Sequence, residues 1–387
     1  MKVLHAVNYH RFTWGSDRAW DGTIQLSREN GIDAVVFSRD SKVLPQSVRG
    51  RARAFIGGIY AREGVRAFQA ALDRVRPDVV HTHELYPLIS PWILPRCSAA
   101  GIPVVQSAYD FRLTCPITTH FVHGKVCREC MGGREYQAVF NNCRDNVAES
   151  VGYALRNMVA RRWRLFRDHV DQFLVPSEFC RRWLMRDVEI EPERITVQPC
   201  MIPVPDPARK PGRADYVAFA GRFAFEKGAH LLIEAARRTG LPVYLSGKEG
   251  THPAIQPGDP VTCLLIDSPA ELADFYRHAR FVVVPSLWEE TFSVVSAEAM
   301  SHGVPVLASR IGALPDTVLD GVTGVLFAPG DVDDLANNMR RMWDDPALCR
   351  RLGEAGRRRV AVKFDSGSHL RQLLVGYDRA IALCARR

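Results

Sequence analysis

The sequence predicts an α/β protein of two domains, each built on a parallel sheet. Three observations carry this expectation. The chain has 387 residues, long for a single core, so two domains are the default. Short apolar runs of strand length alternate with helical patterns, and that alternation implies parallel sheets. Residues 199–211 hold five prolines in thirteen positions, a linker composition that divides the chain near its middle.

Composition narrows the class. An apolar content of 47% with 24% charged residues is ordinary for a globular enzyme. No apolar run approaches a membrane span, and the opening Met-Lys-Val-Leu-His-Ala-Val-Asn reads as a first strand rather than a signal peptide. A cytoplasmic protein is expected. The net charge of +8 is uneven: residues 1–205 hold 28 Lys plus Arg against 21 Asp plus Glu, the remainder 23 against 22. A basic first half can draw in nucleic acid, anionic lipid head groups or a phosphorylated acceptor, or it is simply a solvated face. Ten cysteines without a secretion signal point to reduced thiols or metal rather than a disulfide framework.

Residues 2–7 form the first predicted strand, followed by a loop over 8–20, a helix ending near Gly31 and a strand at 33–37. The loop carries Trp14-Gly15-Ser16 and no Gly-x-Gly-x-x-Gly fingerprint, which disfavours a hydride-transfer enzyme. Gly15 still lets the backbone approach a ligand. Residues 39–58 are polar, Arg-rich and aperiodic, hence loop. After a helix to Val75, a strand beginning at 77–80 delivers His81, Thr82, His83 and Glu84 to its carboxyl end, where open parallel sheets bind ligands. His81 and His83 are either metal ligands or satisfied structural histidines. A helix through Ala100 leads to a strand at 103–107, which ends in Ala108-Tyr109-Asp110-Phe111-Arg112.

Cys115, Cys127, Cys130 and Cys143 fall within 29 residues, with His120 and His123 between them. Cys-x-x-Cys is metal-ligand spacing, and the outer two can complete a tetrahedral structural zinc site; the alternative is a set of buried reduced thiols. Residues 146–170 read as one amphipathic helix with Arg161, Arg162, Arg164 and Arg167 beside Trp163. Such a helix lies on a membrane surface or packs on its own domain with arginines in water. Strands at 171–175 and 195–198 close this half.

The second half opens with a strand at 216–220 and the loop Gly221-Arg222-Phe223-Ala224-Phe225-Glu226-Lys227-Gly228. It is no P-loop, because the lysine precedes its glycine and no Gly-Lys-Ser or Gly-Lys-Thr follows. Two cations at a strand end can neutralise a leaving diphosphate without a divalent ion. Strands at 243–246 and 261–266, a loop at 247–250 and a helix at 269–279 come next. Then an apolar strand at 281–284, a turn and a helix at 294–300 closed by Gly303 and Pro305 form the densest stretch of chemistry. Glu290 lies in the turn and Glu298 eight positions on, about two helical turns at ~3.6 residues each, so both carboxylates are expected to face one ligand. The amides opening the helix near Ser293 and Val294 are a seat for phosphate, and Trp288, Thr291 and Phe292 add bulk and a hydroxyl. This combination suits a sugar nucleotide. Helices fill the remainder, and Tyr377 lies in the last.

The run Glu290, Glu298, Ala299, Gly303, Pro305, Val306 resembles the signature of family 4 of the GT-B glycosyltransferases, with Ser293 where that pattern often has Gly. The loop from Gly221 to Gly228 resembles the family's Gly-Arg loop, and Gly15 with Ser16 partly matches its glycine-rich loop. His81-x-His83 is similar to its His-x-His pair, and Arg112, Leu113, Cys115 and Pro116 match a run that follows the family's active-site His, whose place Tyr109 takes. The resemblance spans nearly the whole chain, densest over 215–365. It implies two Rossmann-like domains facing across a cleft: residues 1–203, with the Cys-rich segment 115–143, bind the acceptor; residues 204–365 bind the nucleotide sugar; and the helix of 366–387 crosses back to the first domain.

The implied function is a retaining transferase that moves a hexosyl-type sugar from a nucleoside diphosphate sugar to an acceptor hydroxyl, in polysaccharide, glycolipid or natural-product glycoside synthesis. Arg222 and Lys227 would grip the diphosphate, Glu290 the sugar and Glu298 the ribose, with Gly15, Gly221, Thr291, Phe292, Ser293 and Val294 lining the donor site. His83 would serve the reacting centre, and Tyr109, Asp110 and Arg112 the acceptor side. The implied mechanism is front-face substitution, with no protein nucleophile and no catalytic cofactor. The acceptor would be a small molecule, a lipid-linked molecule or a polysaccharide, with no nucleic acid partner and peripheral contact of the basic half with the inner face of a membrane. The alternatives are a non-catalytic nucleotide-sugar-binding partner protein and a phosphorylase or epimerase of the same fold.

Overall fold

The computed structural model describes residues 1–10, 15–44, 47–205, 215–247 and 255–386. Trp14, Lys248 to Gly250 of the second-half loop and residues 206–211 of the linker lie outside the described residues. The chain forms two units. The first comprises Met1–Val122, Cys127–Gln198 and His369–Arg387; the second comprises His123–Val126 and Pro199–Ser368.

Strands β1 (Lys2–Tyr9), β2 (Asp33–Asp40), β3 (Val79–Thr82) and β4 (Val104–Ser107) precede a two-residue pair, β5 (Phe121–Val122) and β6 (Lys125–Val126). Strands β7 (Gln172–Val175) and β8 (Ile195–Val197) follow. Six of these make the first sheet, in the order β2-β1-β3-β4-β7-β8, with every neighbour parallel. Parallel strands covered on both faces read as continuous apolar runs, which is why β3, β4 and β7 are buried at every position. Alternate residues serve opposite faces. Leu4, Val80, Val104 and Phe173 share a core with Phe68 and Leu72 of the helix Arg62–Val75 and with Trp183 and Leu184 of the helix Glu178–Asp187. Val3, Val79, Val105 and Leu174 pack against Leu373, Tyr377 and Ala380 of the last helix, Ser366–Cys384.

The second sheet consists of β9 (Tyr216–Ala220), β10 (Val243–Ser246), β11 (Val261–Leu264), β12 (Ala279–Val284), β13 (Val306–Ser309) and β14 (Gly324–Phe327). Its order is β11-β10-β9-β12-β13-β14, again parallel throughout. Phe219, Leu245, Phe281 and Val283 share a core with Leu232 of the helix Ala229–Thr239, Leu335 and Met339 of Val332–Asp344, and Leu352 of Pro346–Lys363. Strand order reverses at β1/β3 in the first sheet and at β9/β12 in the second, and such switch points open a crevice at the carboxyl ends of the strands. Among the described residues no helix is long and apolar enough to cross a membrane.

Three local expectations are corrected. Residues 39–58, expected as loop, hold the helix Val48–Tyr60, capped where the Gly50 amide donates to Ser47 Oγ at 3.3 Å. Its pattern escapes a periodicity search because Gly57 replaces a large side chain where the helix approaches the backbone of Pro87; a Cβ there would lie 2.6 Å from the Pro87 carbonyl oxygen. The single helix expected over 146–170 is two, Val147–Arg162 and Leu165–His169, broken at Arg164 with φ 49°. The first helix starts at Gly15, earlier than the loop of 8–20 allowed.

Candidate active site

The loops after β9 and β12 flank the switch point of the second sheet, and the chemistry of that unit concentrates in them. The chain leaves β9 at Gly221, whose amide donates to the Ser246 carbonyl at 2.9 Å. It then turns through Phe225–Lys227 and enters the helix Ala229–Thr239 by way of Gly228 at φ 72°. Only glycine fits there, since a Cβ would lie 1.9 Å from the Pro285 carbonyl oxygen, besides the left-handed backbone. The Leu287 amide donates to the Glu226 carbonyl at 2.8 Å and ties the two loops together.

This contact brings side chains 63 positions apart into an ion pair. Lys227 Nζ donates to Glu290 Oε1 at 2.8 Å and sits 4.8 Å from the centre of the Trp288 ring. The same Oε1 accepts from Ser286 Oγ at 2.7 Å and Trp288 Nε1 at 3.4 Å. Glu290 is 7% exposed. Burial would push its carboxyl up, but Lys227 and the two donors outweigh burial and hold it below the usual range. Gly312 at φ 57° fixes the backbone beneath it: a Cβ would lie 2.5 Å from the Glu290 amide nitrogen, and the Ala313 amide donates to the Glu290 carbonyl at 2.8 Å. Arg222 is more exposed, at 41%, and reaches Glu226 Oε1 at 3.2 Å. The site therefore offers two cations and an ionised carboxylate on the carboxyl ends of adjacent strands.

The helix Val294–Ser301 begins beyond this loop, with Ser293 as its cap. Glu290 thus precedes the helix, and the two-turn spacing argument fails for it; only Glu298 is helical. Glu298 Oε2 accepts from Tyr276 Oη at 3.1 Å, and burial first, then Glu298, holds the Tyr276 phenol protonated as a donor. Phe292 is buried edge-on against Phe364 at 5.3 Å between ring centres, leaving its backbone, not its ring, for a ligand. Thr291 is half-buried and Val294 exposed.

In the first unit the strand ends carry a different set. Arg112 forks between Glu84 and Asp110: its Nη1 donates to Glu84, and its Nε donates to Asp110 Oδ1 at 2.8 Å. Burial alone would lower the pKa of this guanidinium, but the two carboxylates raise it well above its usual value. Glu84 is buried, which would raise its carboxyl, yet Arg112 and His10 drive it well below the usual range. The Tyr86 amide also donates to Glu84 Oε1, at 2.9 Å. Gly15 begins the helix that follows β1, and Tyr109 packs against the small core of Val7, Trp20, Ile24 and Ala34.

His83 is 3% exposed and belongs to a buried imidazole cluster. His5 Nδ1 and His83 Nε2 are hydrogen-bonded at 3.1 Å, and His81 stacks on His83 with ring centres 4.2 Å apart. Both nitrogens of His81 are engaged, Nδ1 with Tyr377 Oη at 2.9 Å and Nε2 with Ser107 Oγ at 2.8 Å. Burial above all pushes these imidazoles to low pKa, His5 to about 3, so they are neutral at physiological pH. Among the described residues His83 Nδ1 has no hydrogen-bond partner.

Sequence reasoning missed His5, Ser286 and Tyr276 as members of these sites. Ser286 had a detectable signal, a hydroxyl next to the strand end. His5 became a neighbour of His81 only through the β1/β3 register, and Tyr276 reached Glu298 only through packing.

A model described as glycosyltransferase family 4 matches residues 23–204, and one described as glycosyl transferases group 1 matches residues 205–359. The chain is 36% identical over 338 residues to a glycogen synthase of Mycobacterium tuberculosis, covering 80% of this chain and 71% of that protein. It is 30% identical over 253 residues to an MMP alpha-(1->4)-mannosyltransferase of Mycolicibacterium hassiacum. That match covers 59% of this chain and spans 61% of the relative's own length. Among solved structures, a sucrose-phosphate synthase of Thermosynechococcus elongatus superposes with a TM-score of 0.71 at 20% identity, covering 98% of this chain and 99% of that one. HepE of Anabaena, solved with UDP and glucose, superposes with a TM-score of 0.64 at 16% identity, covering 97% and 98%. The two parallel-sheet units thus have the GT-B fold.

Proposed function

Because the chain belongs to the group 1 glycosyl transferases of glycosyltransferase family 4, we propose that it is a retaining glycosyltransferase. It moves a hexosyl-type sugar from a nucleoside diphosphate sugar to an acceptor hydroxyl. The observation that carries this reading is the Lys227–Glu290 pair at 2.8 Å, held at the switch point of the second sheet beside Arg222. On donor binding the diphosphate takes Lys227 and Arg222 as its cations, and Glu290 is released to accept hydroxyls of the sugar. Glu298, already oriented by Tyr276, accepts from the ribose, and the amides of Ser293 and Val294 face the phosphate.

The bond from the anomeric carbon to the diphosphate oxygen breaks and the bond to the acceptor oxygen forms on the same face. The acceptor proton passes to the leaving phosphate, whose charge Arg222 and Lys227 stabilise. Asp110 and Arg112, with Tyr109 and His83, belong to the acceptor side. A uridine nucleotide is the first donor to test, since HepE of the same fold was solved with UDP and glucose. The basic surplus of residues 1–205 favours an anionic acceptor, lipid-linked or free. A membrane role for the helix Val147–Arg162 has less support, since Arg161 is paired with Glu135 at 2.5 Å.

Thermal shift of the purified protein with UDP, GDP, ADP and TDP and their sugar conjugates tests the donor site. Saturating one nucleotide at 100 times its Kd stabilises the fold by about 2.7 kcal/mol, and Glu298→Ala removes the shift. No shift with any of the four overturns the assignment. Retention is tested separately by the anomeric configuration of the product from an α-linked donor. An α-linked product is expected, and a β-linked one excludes a retaining mechanism.

A further inference from the structure

We infer that Cys115, Cys127, Cys130 and Cys143 hold one structural zinc ion that cross-links residues 115–143. All four line a single cavity of about 10 Å³, together with His120 and Arg128, room for one atom and too little for a metal–sulfur cluster. All four are free thiols. The inference rests on the shared cavity and the Cys-x-x-Cys spacing and is independent of the donor reading.

The start of the segment is tied to the first core, where Cys115 is buried with Ile117 and Met131 packed against it and His120 stacks on Phe111 at 4.4 Å between ring centres, but the remainder has little regular structure. Its regular structure is the two-residue strands β5 and β6 and the four-residue helix Gln137–Phe140. Its own small cluster of buried apolar groups is Cys130 and Ala138 against Ala154, with Val139 and Cys143 at the edge. Its backbone is also locally costly, with Thr118, His120, His123, Asn142 and Asp145 all at positive φ, between 43° and 72°. Left-handed non-glycine residues persist only where the surroundings over-determine them. A core this small calls for a staple, and a closed tetrahedral thiolate site supplies one.

The local backbone already shapes ligand-bearing turns. The Cys127 amide donates to the His120 carbonyl at 2.8 Å and the Cys143 amide to the Ala138 carbonyl at 3.0 Å. Among the described residues, the one group of three ligand atoms mutually within 4.8 Å is His5, His81 and His83. No three of the four sulfurs lie within that distance of one another, so the proposed site closes only when the sulfurs move inward onto the ion. The histidines are the poorer site, because both nitrogens of His81 are already hydrogen-bonded. Zinc binding converts four thiols to thiolates and releases four protons. The resulting doubly negative centre has Arg128 on its wall. The Cys115 amide donates to the Phe111 carbonyl at 2.8 Å, so the ion braces the turn that carries Asp110 and Arg112.

The test is metal analysis of the full-length, tag-free protein by plasma mass spectrometry. One zinc per chain is expected, lost in Cys127→Ser/Cys130→Ser and kept in Cys263→Ser, an exposed thiol outside the cluster. Should the double variant fail to fold, the wild-type protein decides alone. A thiol-specific mercurial then releases zinc to a colorimetric chelator and opens residues 115–146 to protease, and cobalt reconstitution gives the visible bands of tetrahedral cobalt thiolate. Metal-free protein in which the four thiols react with alkylating agent without unfolding overturns the proposal. So does mass-spectrometric detection of disulfides among them.

Discussion

The carboxyl ends of the two sheets use burial in opposite ways. At the switch point of the second sheet, Glu290 stays ionised because Lys227 is its counter-charge, with Ser286 and Trp288 completing the carboxylate's bonds. At the switch point of the first, His5, His81 and His83 have no such counter-charge among the groups bonded to them, and burial leaves them neutral. The lysine loop and the histidine strand differ in what their neighbours supply. A buried group either keeps its charge with a partner or gives the charge up. The charged end is suited to binding an anion, and the neutral end presents uncharged imidazoles.

Acid breaks the comparison most strongly. The three imidazoles have folded pKa values below the ordinary 6.5, with His5 near 3. Their contribution to stability is complete above pH 6.5 and is lost as pH falls towards 3, because the unfolded chain binds protons that the folded chain refuses. For each imidazole the loss is at most about 1.4 kcal/mol per pH unit below 6.5. Glu290 and Glu84, whose pKa values are depressed from 4.5, act in a lower window. Urea denaturation across this range should show the decline beginning near 6.5, shallower in His5→Gln. A flat profile down to pH 5 contradicts the neutral cluster.

Arg222→Ala sharpens the comparison from the charged side. If this half-exposed cation has the proposed role at the leaving group, its removal should lower kcat by about 10² to 10³, some 3–4 kcal/mol, while the unfolding midpoint in urea barely moves. Near-normal turnover refutes the diphosphate role. Gly228→Ala attacks the backbone that positions Lys227. The left-handed φ and the 1.9 Å approach to Pro285 should destabilise the second unit by about 2 kcal/mol and weaken nucleotide binding with it, read by calorimetry. The smallest effect is expected for Tyr377→Phe, which removes the hydroxyl bonded to His81 Nδ1 at 2.9 Å. A loss of about 1 kcal/mol in urea denaturation, with nucleotide binding unchanged, would show that the last helix supports the neutral cluster and not the donor site.

Much of this was legible in the chain. Val79 to Thr82, Val104 to Ser107 and Val243 to Ser246 declare themselves as buried parallel strands because each opens on apolar residues and carries its polar residues towards its carboxyl end. The glycines at 221, 228 and 303 mark turns that the structure places at strand and helix ends. Arg222, Lys227, Glu290 and Glu298 stand out because charges next to apolar strands need a reason. The helix Val48–Tyr60 was not legible, since its glycine face is small for close packing rather than large for burial. Nor was the break at Arg164, where the pattern of apolar residues continues across a left-handed residue.

By itself the sequence determined the alternation of strands and helices, the division into two sheets and the residues that reach strand ends, because periodicity and turn chemistry act over a few neighbouring positions. Only the tertiary structure decided that Lys227 meets Glu290 rather than Glu298, that His5 joins His81 and His83, and that Tyr377 of the last helix reaches His81 across 296 positions. The first pairing follows from the loops that leave adjacent strands, the second from the β1/β3 register and the third from packing of the last helix on the sheet. Each depends on which strands become neighbours, and no local pattern encodes which ladder a strand will join.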